Sequence, residues 1–202
     1  MKEKKVALVT GGSGGIGTEI CKSLAFAGYQ VIVNYNSNKE KALQTLNSLK
    51  ANKHNIFKAS ITENEDLEKM AMFVKENYGR LDVLVNNSGV TKPVPHTDLQ
   101  SLNNDLIDTI MQVNFRGSFA CIRAFESLLK KPENSIVVNI SSIAGRTGIG
   151  SNVAYCASKA AVDSMTRSLG RALAPKIRVV SLSPGWVNGD YAKNSPKESH
   201  RR

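Results

Sequence analysis

A glycine-rich turn near the start of the chain constrains the fold more than any other feature. The sequence TGGSGGIG at residues 10–17 directly follows an apolar run and opens a segment of helical period. Glycines at a strand-to-helix turn let the backbone bend sharply and approach a pyrophosphate, while the helix N-terminus offers unpaired N–H groups. The glycines fit two registers, Gly12-x-Gly14-x-x-Gly17 and Gly11-x-x-x-Gly15-x-Gly17. In this context either register predicts a dinucleotide-binding βαβ unit, and the alternative is a purely structural turn.

Strand-like and helix-like segments alternate along the rest of the chain. Nearly continuous Val, Ile and Leu runs, typical of buried parallel strands, lie at residues 5–10, 30–34, 55–59, 81–86, 135–140 and 177–182. Helical periodicity lies at residues 16–27, 39–51, 63–78, 99–111, 115–130 and 152–174. This alternation predicts an α/β fold, a three-layer Rossmann-type doubly wound parallel sheet of about six strands with helices on both faces.

Length and composition are typical of one soluble domain. The 202 residues, 41% of them hydrophobic, can bury a substantial core, so we predict a single domain over residues 1–202 with an irregular basic tail at 188–202. No apolar stretch approaches the roughly 20 residues that span a bilayer, and the first apolar run begins too early for a signal peptide. We therefore expect a cytoplasmic protein without a membrane partner.

Charge and cysteine usage exclude several other classes of function. The net charge of +10 is spread along the chain without interleaved aromatic residues, which favours a solvated surface over a nucleic-acid site. Cys21, Cys121 and Cys156 form no CxxC pair, and the histidines are scattered. We expect buried reduced thiols, no disulfides and no metal.

The segment after the second predicted strand bears on cofactor choice. An NAD site normally places Asp or Glu about 20 residues beyond the glycines, where it binds the ribose hydroxyls. Residues 34–39 here read NYNSNK, and the first acid is Glu40. With no carboxylate to repel a 2′-phosphate and with polar groups such as Asn36 and Lys39 nearby, we favour NADP(H). NAD(H) remains possible, and an ordinary polar loop is the alternative.

A tyrosine and a lysine stand four residues apart in the last predicted helix. Tyr155 and Lys159 therefore project from one face on successive turns. An ammonium group there, joined by the positive nicotinamide of an oxidised cofactor, is expected to stabilise the tyrosinate and to lower the pKa of Tyr155 from about 10. Tyr155 is then a candidate general acid for carbonyl reduction, or a base in the reverse direction. Taken alone, the pair also fits an exposed amphipathic face.

Several motifs in order give the chain a family resemblance over residues 4–187. They are the glycine-rich turn, Asn86-Asn87-Ser88-Gly89, Ser141-Ser142, the Tyr155 and Lys159 pair, and Pro184-Gly185. With these motifs the chain resembles the short-chain dehydrogenase/reductase family, whose catalytic serine lies thirteen positions before the tyrosine and so corresponds to Ser142. The resemblance implies that Ser142 polarises a substrate carbonyl, Tyr155 delivers the proton, Lys159 holds the nicotinamide ribose and Asn114 anchors a relay water.

The resemblance also implies a set of cofactor contacts and some departures from them. The implied contacts are Gly11, Ser13, Ile16, Gly17, Asn87, Gly89, Tyr155, Lys159, Pro184 and Val187. Ser88, Ser60 and Gly189 stand where the family more often has Ala, Asp and Thr. The implied catalytic and cofactor residues also have structural alternatives: Ser142 as a strand-end turn, Asn114 as a helix kink or cap, and Asn87 as a loop residue that satisfies backbone groups.

Within that family the segment from Ser142 to Lys159 looks most like the 3-oxoacyl-acyl-carrier-protein reductases. This implies an NADPH-dependent carbonyl reductase, with a 3-oxoacyl thioester as one candidate substrate and acyl carrier protein as a candidate partner received by Lys130, Lys131 and Lys176. Helices 115–130 and 152–174 are the family's dimer-forming pair, so a homodimer or homotetramer is expected.

Two other functions stay open. Family members usually continue past the Pro-Gly turn with substrate-covering helices and a seventh strand, which we predict to be absent here. This motivates the alternative of a cofactor-binding but catalytically impaired, truncated or regulatory protein. A third possibility is an alcohol dehydrogenase that oxidises a sugar or steroid.

Overall fold

The computed structural model describes residues 4–50 and 53–187, and all structural statements refer to these residues. The strands are β1 Val6–Val9, β2 Gln30–Tyr35, β3 Asn55–Lys58, β4 Val83–Asn86, β5 Ser135–Ile140 and β6 Ile177–Leu182. The helices are α1 Gly15–Phe26, α2 Lys39–Ser48, α3 Asn64–Tyr78, α4 Asn104–Met111, α5 Ser118–Leu129, α6 Ala144–Thr147 and α7 Val153–Ala172.

The strands form one parallel sheet in the order β3-β2-β1-β4-β5-β6. From β1 the chain runs outward through β2 to β3, then returns to place β4 on the other side of β1. This reversal creates a switch point between β1 and β4, and ligands of open α/β sheets bind beside the carboxyl ends of the strands there. The predicted Rossmann-type doubly wound sheet of six strands is confirmed.

Two apolar clusters bury the two faces of the sheet. Alternate residues of a strand point to opposite faces, so Leu8 and Leu84 join α3, α5 and α7 in one cluster. Val9 and Val85 pack with residues of α1 in the other cluster. Because helices cover both faces, the strands need apolar residues at nearly every position, which explains their continuous hydrophobic runs.

The long connection between β4 and β5 differs from its prediction. A helix was expected over residues 99–111, but α4 begins only after Asn103, whose side chain caps it by accepting a hydrogen bond from Leu106 N at 3.0 Å. The predicted break before residue 115 is instead a π-helical segment, Gln112–Gly117, that joins α4 to α5. The short helix α6 was not predicted.

Other expectations concern termini, thiols and membranes. The three cysteines are free and buried, as expected. Within residues 4–50 and 53–187 no helix is long and apolar enough to cross a bilayer, and no cluster of three metal-ligating side chains occurs. The predicted basic tail at residues 188–202, the predicted absence of a seventh strand and the departure at Gly189 concern residues outside the described part.

Candidate active site

The glycine-rich turn follows β1 and contains three glycines that the protein's own packing requires. Gly11 has a φ of +58°, a conformation that residues with a side chain rarely adopt. A Cβ on Gly12 would lie 2.9 Å from Val33 Cγ1. A Cβ on Gly17 would overlap the Gly11 carbonyl oxygen and lie 2.7 Å from Asn87 Nδ2. These three positions fold the turn tightly against β2 and β4.

The other two glycines are exposed and fit a bound pyrophosphate. A Cβ on Gly15 would meet nothing within 4 Å, and Gly14 is exposed at the N-cap of α1. No side chain caps this helix, so the backbone N–H groups of its first turn can bind an anion. Ser13 and Ile16, both predicted cofactor contacts, are partly exposed beside it. The residues present therefore fit the diphosphate of a dinucleotide.

Replacing Gly17 or Gly15 by alanine should distinguish a glycine that the packing of the turn requires from one that only lets the cofactor approach the backbone. We expect Gly17→Ala to lower both the melting temperature and NADPH affinity, because its Cβ has no room against Gly11 and Asn87. Gly15→Ala should keep the wild-type melting temperature and change cofactor affinity alone. Thermal unfolding and NADPH fluorescence titration measure the two effects. A Gly17→Ala protein as stable as Gly15→Ala would contradict the packing argument.

Two asparagines hold the glycine-rich turn from opposite sides. Asn87 Nδ2 donates to the carbonyl oxygens of Thr10 and Gly11, both at 3.0 Å. Asn34, buried in β2, accepts from Gly11 N at 3.3 Å and donates to Ala59 O at 3.0 Å. Asn87 thus satisfies backbone carbonyls of the turn, which is the structural alternative given for it, and its contact with a cofactor stays a prediction. The contact of Asn34 with the turn was missed. Asn36, predicted to contact the cofactor, is exposed just beyond the end of β2.

Ser142, Tyr155 and Lys159 come together at the carboxyl end of β5. Ser142 follows this strand, while Tyr155 and Lys159 lie on successive turns at the start of α7. The Lys159 ammonium lies 5.7 Å from the Tyr155 ring centroid and donates to Ile140 O at 2.8 Å. Lys159 is only 5% exposed. The pair therefore lies on a buried face and not on the exposed amphipathic face that was the alternative.

Burial governs the charge states of this cluster. Desolvation raises the pKa of Tyr155 above its ordinary value, although a hydrogen-bonding interaction with the Ser142 side chain opposes it. The expected lowering of the Tyr155 pKa concerns the site with an oxidised cofactor bound and stays a prediction, whereas without the cofactor the pKa is raised. Desolvation also lowers the pKa of Lys159 to about 8, against the opposing effect of the Asp163 carboxylate. Asp163 lies one turn further along α7 and is itself buried.

Asn114 lies in the π-helical segment, buried beneath the loop that follows β4. Its Oδ1 accepts from Val90 N at 2.8 Å, and its Nδ2 donates to Val90 O at 3.1 Å and to Ser158 Oγ at 3.0 Å. π-helical turns are rare and are frequent at functional sites. A Cβ on Gly89 would lie 3.4 Å from Asn114 Oδ1 and 3.6 Å from Lys159 Nζ, so Gly89 adjoins both residues. The relay-water role of Asn114 stays a prediction.

The remaining predicted positions follow β6 and β3. Pro184 O accepts from Ile143 N at 3.1 Å, and Val187 is exposed. At Ser60, where the resemblance expects Asp, the hydroxyl hydrogen-bonds Thr62 Oγ1 at 2.8 Å and the backbone N–H donates to Asp66 Oδ2 at 2.8 Å. Ser60 thus turns the chain into α3.

Several polar residues of the site were missed. Asn152 is fully buried and caps α7 by accepting from Tyr155 N at 2.7 Å. An Asn directly before a helix is a capping signal, so this contact could have been predicted. Asn86 and Asn139, paired across β4 and β5, bond each other at 2.9 Å beneath the site. That contact joins residues 53 positions apart and has no local signal.

Fold and site together define a class of protein, the Rossmann-type oxidoreductases with a serine, tyrosine and lysine centre. The family model of the short-chain dehydrogenases matches residues 5–200. The chain belongs to the short-chain dehydrogenase family. The family binds nicotinamide cofactors, and its membership supports an oxidoreductase that acts on CH–OH or C=O groups.

Individual relatives are similar over nearly the whole chain. A ketoacyl reductase of the granaticin polyketide synthase from Streptomyces violaceoruber is 36% identical over 193 residues, which are 96% of this chain and 77% of that protein. A 3-oxoacyl-(acyl-carrier-protein) reductase of Staphylococcus aureus is 35% identical, covering 94% and 77%. A crystal structure of a short-chain dehydrogenase/reductase from Burkholderia xenovorans matches with a TM-score of 0.90 and 32% identity, covering 95% and 81%.

Proposed function

We propose that the protein reduces a ketone to a secondary alcohol with NADPH, and that a 3-oxoacyl thioester is its substrate. The observation that carries this proposal is the arrangement of Tyr155 beside Ser142, with the buried Lys159 ammonium 5.7 Å from the phenol ring. The names of the relatives, two of them reductases of ketoacyl groups, support the choice of substrate.

The charge states favour reduction over oxidation. NADPH, when bound, supplies the hydride for the carbonyl carbon. The raised pKa keeps Tyr155 protonated at neutral pH, so its phenol can give a proton to the carbonyl oxygen as negative charge develops there. Ser142 can donate a hydrogen bond to the same oxygen. With a pKa of about 8, Lys159 is mostly charged at neutral pH and would stabilise the tyrosinate that remains.

The surroundings of Tyr155 favour an apolar substrate. Ile143 follows Ser142 directly, and Ile149 precedes Gly150, which packs against the Tyr155 ring. Both isoleucines are exposed, as are Trp186 and Val187 beyond the Pro-Gly turn. Exposed apolar side chains grouped at the edge of a polar centre are typical of a binding surface. An acyl chain next to a reducible carbonyl matches this combination.

The lysines suggested for an acyl carrier protein lie elsewhere. Lys130 and Lys131 follow α5, and Lys176 directly precedes β6, so all three lie at the amino end of the sheet. The site lies at the carboxyl end, a strand length of roughly 20 Å away. Within one copy these lysines do not border Tyr155. Assembly through α5 and α7 stays a prediction, supported by the exposed Phe119 and Val153 on these helices.

Cofactor preference gives a direct test of the loop after β2. Residues 36–39 carry no carboxylate, and Glu40 is already inside α2. We expect kcat/KM to favour NADPH over NADH at least about tenfold, the ratio that corresponds to roughly 1.4 kcal/mol. Steady-state rates with each cofactor at a fixed ketone measure it. A preference for NADH would contradict the assignment of this loop.

The substrate class is tested by following NADPH oxidation with 3-oxoacyl thioesters of increasing chain length. We expect turnover that improves as the chain lengthens, since more apolar surface is buried. A panel of alcohols with NADP⁺ and NAD⁺ tests the oxidative alternative. Absence of turnover under conditions where NADPH binds would contradict the reductase and favour the catalytically impaired alternative.

A further inference from the structure

Two loops beside the candidate active site are joined by a set of side-chain and backbone hydrogen bonds. One is the β4–α4 loop, residues 87–103, and the other is the α6–α7 loop, residues 148–152. The bonds are Asn152 Nδ2 to Thr91 Oγ1 (3.1 Å) and to Lys92 O (2.8 Å), Thr91 Oγ1 with Ser151 Oγ (2.5 Å), Val94 N to Ser151 O (2.8 Å), and His96 Nε2 to Gly150 O (3.1 Å). The two loops therefore form one wall of the site.

Asn152 is the member of this wall that also contacts the backbone of Tyr155. Its Oδ1 accepts from Tyr155 N at 2.7 Å while its Nδ2 donates to Thr91 and Lys92. A side-chain amide offers two donors and a carbonyl acceptor, and here both ends are used. Asn152 is fully buried, so water does not compete for these bonds. It thus connects the start of α7 to the β4–α4 loop directly.

The β4–α4 loop is held at a second point close by. Asn114 hydrogen-bonds both the N–H and the carbonyl of Val90. Val90 lies two residues before Lys92, whose carbonyl accepts from Asn152. Gly89, next to Val90, adjoins Asn114 and the Lys159 ammonium. The loop is therefore fixed between two buried asparagines, one from the π-helical segment and one from the cap of α7. Its position relative to Tyr155 depends on both.

We propose that Asn152 is a positioning residue, which sets where the Tyr155 phenol lies relative to Gly89 and the β4–α4 loop. This inference rests on the proposed function, because it assigns Asn152 to the proton-transfer step of ketone reduction. A small displacement of a reacting group lowers the rate of chemistry more than it weakens binding. Asn152 should therefore control kcat, while the KM for NADPH depends on the glycine-rich turn.

The capping and the loop-holding roles of Asn152 can be separated by substitution. Asn152→Asp keeps an oxygen for Tyr155 N but loses the donor to Thr91 and Lys92. Asn103→Asp is the matched control, since Asn103 is also an Asn N-cap, with its side chain bonded to Leu106 N. We expect Asn152→Asp to lower kcat at least about tenfold, with the KM for NADPH changed less than about threefold. Asn103→Asp should leave both values unchanged.

A second variant tests the same link from its other side. Thr91→Val removes the hydroxyl that joins Asn152 and Ser151 and should also lower kcat. Asn152→Asp and Thr91→Val both break the hydrogen bond between Asn152 and Thr91, so the double variant should be no slower than Asn152→Asp alone. Equal kcat values for Asn152→Asp and Asn103→Asp would overturn the proposal. So would multiplicative losses in the double variant.

Amide hydrogen exchange gives a readout that does not depend on turnover. In Asn152→Asp we expect faster exchange at Val94 while the Tyr155 amide stays protected by the remaining cap oxygen. Unchanged exchange at Val94 would overturn the proposed link. If the wild-type protein reduces none of the thioesters, the proposed function fails. In that case the exchange at Val94 still decides whether Asn152 positions the loop.

Discussion

Replacing Tyr155 by Phe is expected to lower kcat/KM for ketone reduction by about 10²–10⁴-fold, the range typical of a positioned general acid. The phenol is half-buried beside Ser142 with its pKa raised, so it holds its proton until charge develops on the substrate oxygen. Phenylalanine keeps the ring but lacks the hydroxyl group that carries the proton. NADPH affinity and thermal stability should stay close to the wild-type values, because the turn that would bind the diphosphate lies after β1.

Tyr78→Phe is the matched control for this prediction. Tyr78 is also half-buried, and its hydroxyl accepts from Asn55 Nδ2 at 2.6 Å, but it lies at the end of α3, at the amino end of the sheet. Its loss should leave turnover unchanged. If Tyr155→Phe retained the wild-type rate, this cluster would not be the source of the proton.

Replacing Lys159 by Met is expected to abolish most activity and to change how stability depends on pH. Burial lowers the pKa of Lys159 from 10.5 to about 8. Between these values the unfolded chain carries a proton that the folded protein has released, so this lysine makes the folded state more stable as pH rises. Below about pH 8 the full cost of burying the ammonium is present. The slope reaches at most about 1.4 kcal/mol per pH unit.

Urea unfolding of both proteins from pH 7.5 to 10.5 measures this effect as a difference. Wild type should gain roughly 3 kcal/mol relative to Lys159→Met across the window. Tyr155 and the buried thiols are present in both proteins, so their titrations largely cancel. Lys69→Met, on the exposed side of α3, controls for the loss of one lysine. Parallel curves for wild type and Lys159→Met would mean that burial imposes no such cost.

The sheet could be predicted from the sequence because its signals are local. Each strand is a short apolar run, and a parallel sheet covered on both faces needs such runs at every strand. The glycine-rich turn was predicted for a similar reason, since it directly follows an apolar run and opens a segment of helical period.

Of the two errors in the helices between β4 and β5, one has a local cause and the other does not. The helix expected over residues 99–111 followed apolar spacing, whereas Asn103 caps the chain, so that α4 begins five residues later, at Asn104. The π-helical segment Gln112–Gly117 lies where a break between two helices was expected. Asn114 within it bonds Val90 and Ser158, which lie elsewhere in the chain and give no local signal.

The sequence by itself determined the alternating strands and helices, the turn that fits a pyrophosphate, and the placement of Tyr155 and Lys159 on one face of a helix. Those properties depend on residues close together in the chain. Only the tertiary structure decided the charge states of the pair, because desolvation depends on everything packed around them. It also decided the link through Asn152, whose partner Thr91 is 61 residues away and meets it only once the sheet has brought both loops to one edge.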